Sequence, residues 1–221
     1  MKINKIKKVY LLYGPPASGK TTIISFLAKK LNASPISMGE ITRREILAKT
    51  KLGKKLKIFL DKVIEYSPNL LREIFDKEIK KASLNKNFIF DGFPKYLREI
   101  KIFLEIIKNN KFIIEDVIII NLSLEDSLKR VKNRRICSSC LKQQNIYKKN
   151  NNKCLKCGGK LKIRDDDKSF IIKRRYNDFL ISQNNIIEEL KKVAKNIFYL
   201  NSNQSPLKIK KDINKIYEMP E

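Results

Sequence analysis

Residues 14–21 read Gly-Pro-Pro-Ala-Ser-Gly-Lys-Thr, and the spacing Gly14-x-x-x-x-Gly19-Lys20-Thr21 is that of a phosphate-binding loop. Such a loop turns backbone N–H groups toward an anion, and the positive end of the following helix adds to the attraction. Lys20 would reach the β- and γ-phosphates of a nucleotide, and the Thr21 hydroxyl would meet Mg²⁺. The plain alternative is an ordinary strand–turn–helix connection. The context argues against it: the apolar run Val9–Leu12 precedes the loop, and Ile23, Ile24, Phe26 and Leu27 follow it.

A second group with chemical potential is Cys137-x-x-Cys140, thirteen residues, then Cys154-x-x-Cys157. Thiolates paired on two tight turns suit a tetrahedral Zn²⁺ site, and a site with all four positions filled by protein is structural. Two disulfides or four unrelated thiols are the alternatives. Disulfides are disfavoured where no secretion signal is seen. The chain has no histidine, so imidazole catalysis is excluded. Phosphoryl transfer tolerates that absence, because it depends on positioning and charge stabilisation.

These residues need elements to carry them. Residues 9–12 read as a buried strand and 21–31 as the helix after the loop. Ser37 is expected to cap a helix over 39–47. Apolar spacings of three and four predict amphipathic helices over 54–65 and 69–82. "NFIFDGFP" predicts a buried strand that delivers Asp91 to its end. A helix over 96–108, a β-branched strand over 116–122, a basic helix over 124–135, a helix over 169–195 and a strand over 196–201 follow. The tract 148–153 reads as a loop. Strands alternating with helices predict an α/β fold with a parallel sheet.

The net charge is +26, from 49 Lys and Arg against 23 Asp and Glu. Nucleic-acid binding is one reading of that excess. The other is the coding bias of a chain rich in Lys, Asn and Ile. The lysines are scattered rather than gathered in a stripe with aromatics, so no nucleic-acid partner is expected. No apolar run approaches the ~20 residues of a membrane span, and the start of the chain carries no apolar signal stretch. A cytoplasmic, monomeric protein is the expectation.

Five segments in order, "GPPASGKTT", "ISMGEITRRE", "FIFDGFPKYLRE", "RVKNRRICSSC…CLKC" and "IRDDDKSFIIKRRY", resemble the adenylate kinase and nucleoside monophosphate kinase family, in its long, zinc-bearing form. The resemblance runs from about residue 9 to 201. It implies a P-loop three-layer core (1–36, 69–132 and 169–221), a helical acceptor-binding insert (37–68) and a zinc-ribbon lid (133–168). It implies transfer of the γ-phosphoryl of ATP to AMP, giving two ADP, with Mg²⁺. Residue by residue, Gly14, Pro15, Pro16, Ala17, Ser18, Gly19, Lys20, Thr21 and Thr22 would wrap the donor phosphates. Arg130 and Arg134 would meet the donor base and phosphates. Met38, Arg43, Gly92, Lys95 and Glu99 would form the acceptor site. Arg164 and Arg175 would clamp the transferring group, with Lys20 and Arg134 sharing in catalysis. Thr21 and Asp91 would hold Mg²⁺ through water, and Asp166 and Asp167 would keep lid geometry.

The acceptor half departs from the family pattern. Met38 stands in a segment that is usually Ser-Thr-Gly-Asp, Lys95 replaces arginine and Glu99 replaces glutamine. The Gly-x-Leu-Val usual near the acceptor base is missing around Val63–Tyr66. The late Asp-Gly reads Asn201-Ser202, and Thr21 stands where glycine is usual. A glutamine amide both donates and accepts, whereas a carboxylate only accepts. Glu99 would therefore suit the N1–H and N2–H₂ of guanine better than adenine N1, or it pairs with Lys95 one turn earlier and touches no base. GMP, CMP or UMP as acceptor remains open, as does a zinc-ribbon nucleic-acid-binding or nucleotide-sensing protein without turnover.

Overall fold

The computed structural model describes residues 6–62, 64–82, 86–146 and 152–218. Val63 and residues 148–151 of the predicted loop lie outside them. Five parallel strands form the central sheet: β1 (Lys8–Tyr13), β2 (Ala33–Ser37), β3 (Asn87–Asp91), β4 (Ile113–Asn121) and a last strand, Asn196–Asn201, in the order β2-β3-β1-β4-last. The central strands β1, β3 and β4 are apolar on both faces, as a sheet covered by helices on each side requires. Alternate residues of β1 divide between the two layers. Val9, Leu11 and Tyr13 join Phe75, Phe88, Phe90, Phe93 and Phe103 on one side. Tyr10 and Leu12 join Ile23, Leu27, Ile118, Ile209 and Ile213 on the other.

Helix α1 (Lys20–Lys30) leads from β1 to the edge strand β2. Helices α2 (Met38–Leu47) and α3 (Lys51–Lys62) form the insert before α4 (Pro68–Lys81). A Cβ added at Gly53 would lie 2.1 Å from the Glu45 carbonyl oxygen, so α2 and α3 approach closely only because that position has no side chain. Helix α4 starts with Pro68 at its first turn and with Ser67 Oγ accepting from the Leu70 N–H at 3.4 Å, a regular N-terminal cap.

Helices α5 (Leu97–Asn109) and α6 (Leu124–Asn133) flank β4. A small antiparallel sheet follows, with β5 (Arg134–Cys137) between β6 (Gln143–Asn145) and β7 (Leu161–Lys162). Helix α7 (Ser169–Lys191) returns the chain to β8, the last strand, and α8 (Pro206–Glu218) closes the described chain.

Most predicted elements fall within a few residues of those observed, but three features differ. Strand β2 was not anticipated. Its sequence, Ala-Ser-Pro-Ile-Ser, carries a proline and little apolar alternation, which an edge strand tolerates. Helix α8 was also unanticipated. Its Tyr217 hydroxyl donates to Asp116 Oδ2 at 2.9 Å. Ser37 occupies the N-cap position of α2 but makes no side-chain cap bond. Its hydroxyl donates to Asp91 Oδ2 at 3.0 Å, which ties the side chain to the end of β3.

Candidate active site

The phosphate loop leaves the C-terminal end of β1 and enters α1 through Gly19, whose φ of 86° is a left-handed conformation suited to glycine. Pro15, Pro16 and Ser18 are buried, while Thr21 and Thr22 stand exposed on the first turn of α1. Lys20 folds back into the loop. Its Nζ donates to Gly14 O at 2.8 Å, Pro15 O at 2.7 Å and Ser18 Oγ at 3.1 Å. Burial lowers the Lys20 pKa to about 8. Asp91 opposes that shift, while Arg175, Lys95 and Arg134 reinforce it.

Those neighbours arrive from four separate elements. Asp91 ends β3 and is buried. Gly92 follows with φ +69° and leads to Lys95 before α5. Burial lowers the Lys95 pKa, with Arg175 adding to the effect. Arg134 begins β5 and grips Asp167 with two N–H groups, Nε to Oδ2 at 2.8 Å and Nη2 to Oδ1. Arg164 grips Asp166 in the same way, Nε to Oδ1 at 2.8 Å and Nη2 to Oδ2, and its Nη1 donates to Gln143 Oε1 at 3.0 Å. Arg175, from α7, donates to Asp166 Oδ2 at 3.0 Å. These planar forks orient the guanidinium groups, since a bidentate pair fixes both distance and plane. Despite burial, Asp166 is held well below the usual carboxylate range by Arg164, Arg175 and Arg43.

Arg43, on α2, is the sixth cation. Among the described residues its Nε is buried and finds no hydrogen-bond partner. Burial lowers its pKa to about 10, with Arg164 the leading charge beside it. The insert and the small sheet therefore bring positive charge to one place. Six cations (Lys20, Arg43, Lys95, Arg134, Arg164, Arg175) face three carboxylates (Asp91, Asp166, Asp167). Such an excess stabilises a polyanion and little else. Met38 is fully buried at the start of α2.

Glu99 is buried on the first turn of α5, where Oε2 accepts from the Lys95 main-chain N–H at 2.6 Å. Among the described residues it makes no ion pair with the Lys95 ammonium; the two meet through the main chain. Burial raises the Glu99 pKa, partly offset by Lys95. Beside the phosphate loop, Arg130 Nη1 donates to Ser202 Oγ at 2.8 Å and to Ala17 O at 3.4 Å, and its Nη2 donates to Ser202 O.

The four cysteine sulfurs lie within 4.8 Å of one another. Cys137 and Cys157 are 3.5 Å apart and Cys140 and Cys154 3.7 Å, both far beyond a disulfide bond. A tetrahedron with metal–sulfur bonds of ~2.3 Å has edges of about 3.8 Å, so the spacing suits one metal ion. The N–H groups of Ser139 and Cys140 reach Cys137 Sγ at 3.4 and 3.5 Å, and the Lys156 N–H reaches Cys154 Sγ at 3.4 Å. The donation from Cys140 heads the influences that lower the Cys137 pKa to about 6. A thiolate is the form a metal takes.

Sequence reasoning passed over Ser127 and Gln143, whose partners come from distant segments, and read Ser37 only as a helix cap. Ser202 was visible only as a departure from a family pattern.

Known proteins are similar to this chain in sequence. A family model described as "Adenylate kinase" matches residues 12–195. The "Adenylate kinase" of Methanocella arvoryzae is 33% identical over 186 residues, covering 83% of this chain and 86% of that protein. That of Thermosipho africanus is 34% identical over 185 residues, 82% of this chain and 86% of that protein. That of Borreliella burgdorferi is 35% identical over 212 residues, 92% of this chain and 95% of that protein. With its five-stranded parallel sheet, phosphate loop and converging arginines, the chain belongs to the adenylate kinase family and is a phosphotransferase.

Proposed function

We propose that this protein transfers the γ-phosphoryl of ATP to AMP, forming two ADP, reversibly and with Mg²⁺. The observation that carries the reading is the set of six cations, Lys20 among them, brought from the loop, α2, the segment before α5, β5, the segment after β7 and α7. The family membership agrees with it. The loop from Gly14 to Thr22 and Arg134 would hold the donor phosphates, and Arg130 would face the donor base. Arg43, Gly92 and Lys95 would hold the acceptor phosphate, with Met38 and Glu99 beside its base. Lys20, Arg134, Arg164 and Arg175 would then surround the phosphoryl in flight. Charge on its three equatorial oxygens grows exposed during transfer, and preoriented donors stabilise it without reorganising.

The hydroxyl of Thr21 and the carboxylate of Asp91 would hold Mg²⁺ through water, and the ion would neutralise charge on the nucleotide phosphates. Lid closure over the site would exclude water and so suppress hydrolysis. In this reading residues 37–68 form the acceptor insert and 133–168 the lid, stapled by Zn²⁺ on Cys137, Cys140, Cys154 and Cys157. The core comprises 1–36, 69–132 and 169–221. Among the described residues no helix is long and apolar enough to cross a membrane. A monomer working in the cytoplasm on free nucleotides is the state we propose.

A coupled assay with MgATP and AMP, GMP, CMP or UMP tests the reaction. AMP should be the best acceptor. Lys20→Ala should lose nearly all turnover, by at least about 100-fold, because it deletes charge where the transition state needs it. Near-normal turnover in that variant would refute the role given to the loop.

A further inference from the structure

Ala17 has φ +58°, in the left-handed region where a Cβ is crowded. It is the third residue of the turn Pro15-Pro16-Ala17-Ser18, which the Ser18 N–H closes onto Pro15 O at 3.4 Å. Proline at the second position and a left-handed third residue make a type II pattern, in which the third place suits glycine. A strained conformation persists only where its surroundings over-determine it. Here three successive carbonyls of the loop are held from outside. Ser127 Oγ, on α6, donates to Pro16 O at 2.7 Å. Arg130 Nη1 donates to Ala17 O at 3.4 Å. Ser202 Oγ, just past β8, donates to Ser18 O at 2.7 Å and accepts from Arg130 Nη1 at 2.8 Å.

Both serines are fully buried, and the Ser202 N–H is anchored on Asn121 O at 2.9 Å. Because a trans peptide points its C=O and its N–H in opposite directions, fixing these oxygens outward aims the following N–H groups the other way. We propose that Ser127 and Ser202 are positioning residues that hold a strained phosphate loop in its anion-binding form, and that Ser202 joins that hold to Arg130. The proposal rests on the reading of this loop as the ATP phosphate site. It deepens that reading by naming what preorganises the loop.

Calorimetric binding of MgATP, inorganic tripolyphosphate and AMP to the full chain tests it. Ser127→Ala, Ser202→Ala and Ala17→Gly are compared singly, and Ala17→Gly is combined with each serine variant. Each serine variant should weaken MgATP and tripolyphosphate by at least threefold, and about tenfold at most, while AMP changes less than twofold. Glycine relieves the strain, so adding Ala17→Gly should recover most of the loss. Ala17→Gly alone should raise the thermal midpoint, which keeps the strain testable even if a serine variant fails to fold.

A loss under threefold for the polyphosphates, an equal loss for AMP, an unrescued double variant or an unchanged midpoint would each overturn the proposal. The reaction itself fails separately. A wild-type chain that binds tripolyphosphate but transfers nothing to AMP would refute the assigned function while leaving the loop comparison readable.

Discussion

Lys20 sits in a loop that offers its ammonium three oxygen acceptors, with Arg175, Lys95 and Arg134 as neighbours of its own sign. Its pKa, lowered to about 8, penalises the charged form in the fold relative to the unfolded chain. That penalty is complete below pH 8 and is relieved as pH rises toward ~10.4, where an unfolded lysine titrates. Phosphate binding needs the ammonium, so kcat/KM for ATP should fall above about pH 8 with the slope of one proton. The corresponding limb in kcat should lie at higher pH, since bound phosphates hold the proton in place. A pH–rate profile that is flat to pH 9.5 would refute this.

Glu99 poses a separate question, because one of its oxygens is committed to the Lys95 main chain. If the carboxylate also faces the acceptor base, Glu99→Gln should improve kcat/KM for AMP by roughly tenfold, about 1.4 kcal/mol, and weaken any GMP activity. Small parallel changes on both substrates would make Glu99 only a cap for α5. At this scale the loop and the arginines were legible because each lies in a short local pattern. The left-handed Ala17 was not, since nothing in Pro-Pro-Ala-Ser announces a conformation imposed by Ser127 and Ser202 from over 100 residues away.

The small sheet β5–β6–β7 has few apolar residues of its own, its buried cluster being Cys137, Cys154 and Leu161 with Cys140 and Ile146 against them. Metal binding free energy would then be folding free energy for this element. Cys154→Ser should abolish the binding of one Zn²⁺ per chain, measured by elemental analysis of reduced protein. It should also lower the thermal midpoint. Unchanged melting and no metal in the wild type would refute the zinc staple.

The cysteine spacing made this element legible, whereas its strands are too short to show a period. Helix α8 did carry a signal: Ile209, Ile213 and Tyr217 stand four apart, and the two isoleucines are buried. The dense lysines around them obscured that face. Strand β2 lacked a signal, because an edge strand with Pro35 needs neither alternation nor a full ladder. Its place is set by pairing with β3, from Ala33 opposite Asn87 to Ser37 opposite Asp91, and that register also delivers the Ser37 hydroxyl to Asp91.

Across the whole molecule α2, β5, the segment after β7 and α7 bring their charges together beside the phosphate loop. Apart from burial, the strongest influence on Arg43 of α2 is the charge of Arg164 from the segment after β7, across more than 100 positions of sequence. The family resemblance was the ground for expecting these residues together, and the parallel sheet places the ends of β1 and β3 side by side, Leu12 opposite Asp91. What sequence could not supply was which carboxylate aims which arginine, a matter of side-chain geometry between segments. The net charge of +26 finds at least this local use, whatever its origin.

The proposed reaction is direct transfer between two nucleotides in a site closed to water. It is tested most directly by incubating the purified protein with γ-labelled ATP, Mg²⁺ and AMP and following the label. The label should appear in the β-phosphate of ADP, with release as inorganic phosphate at least about 100-fold slower, and neither should occur readily without AMP. Label released mainly as inorganic phosphate, or never reaching ADP at all, would contradict it.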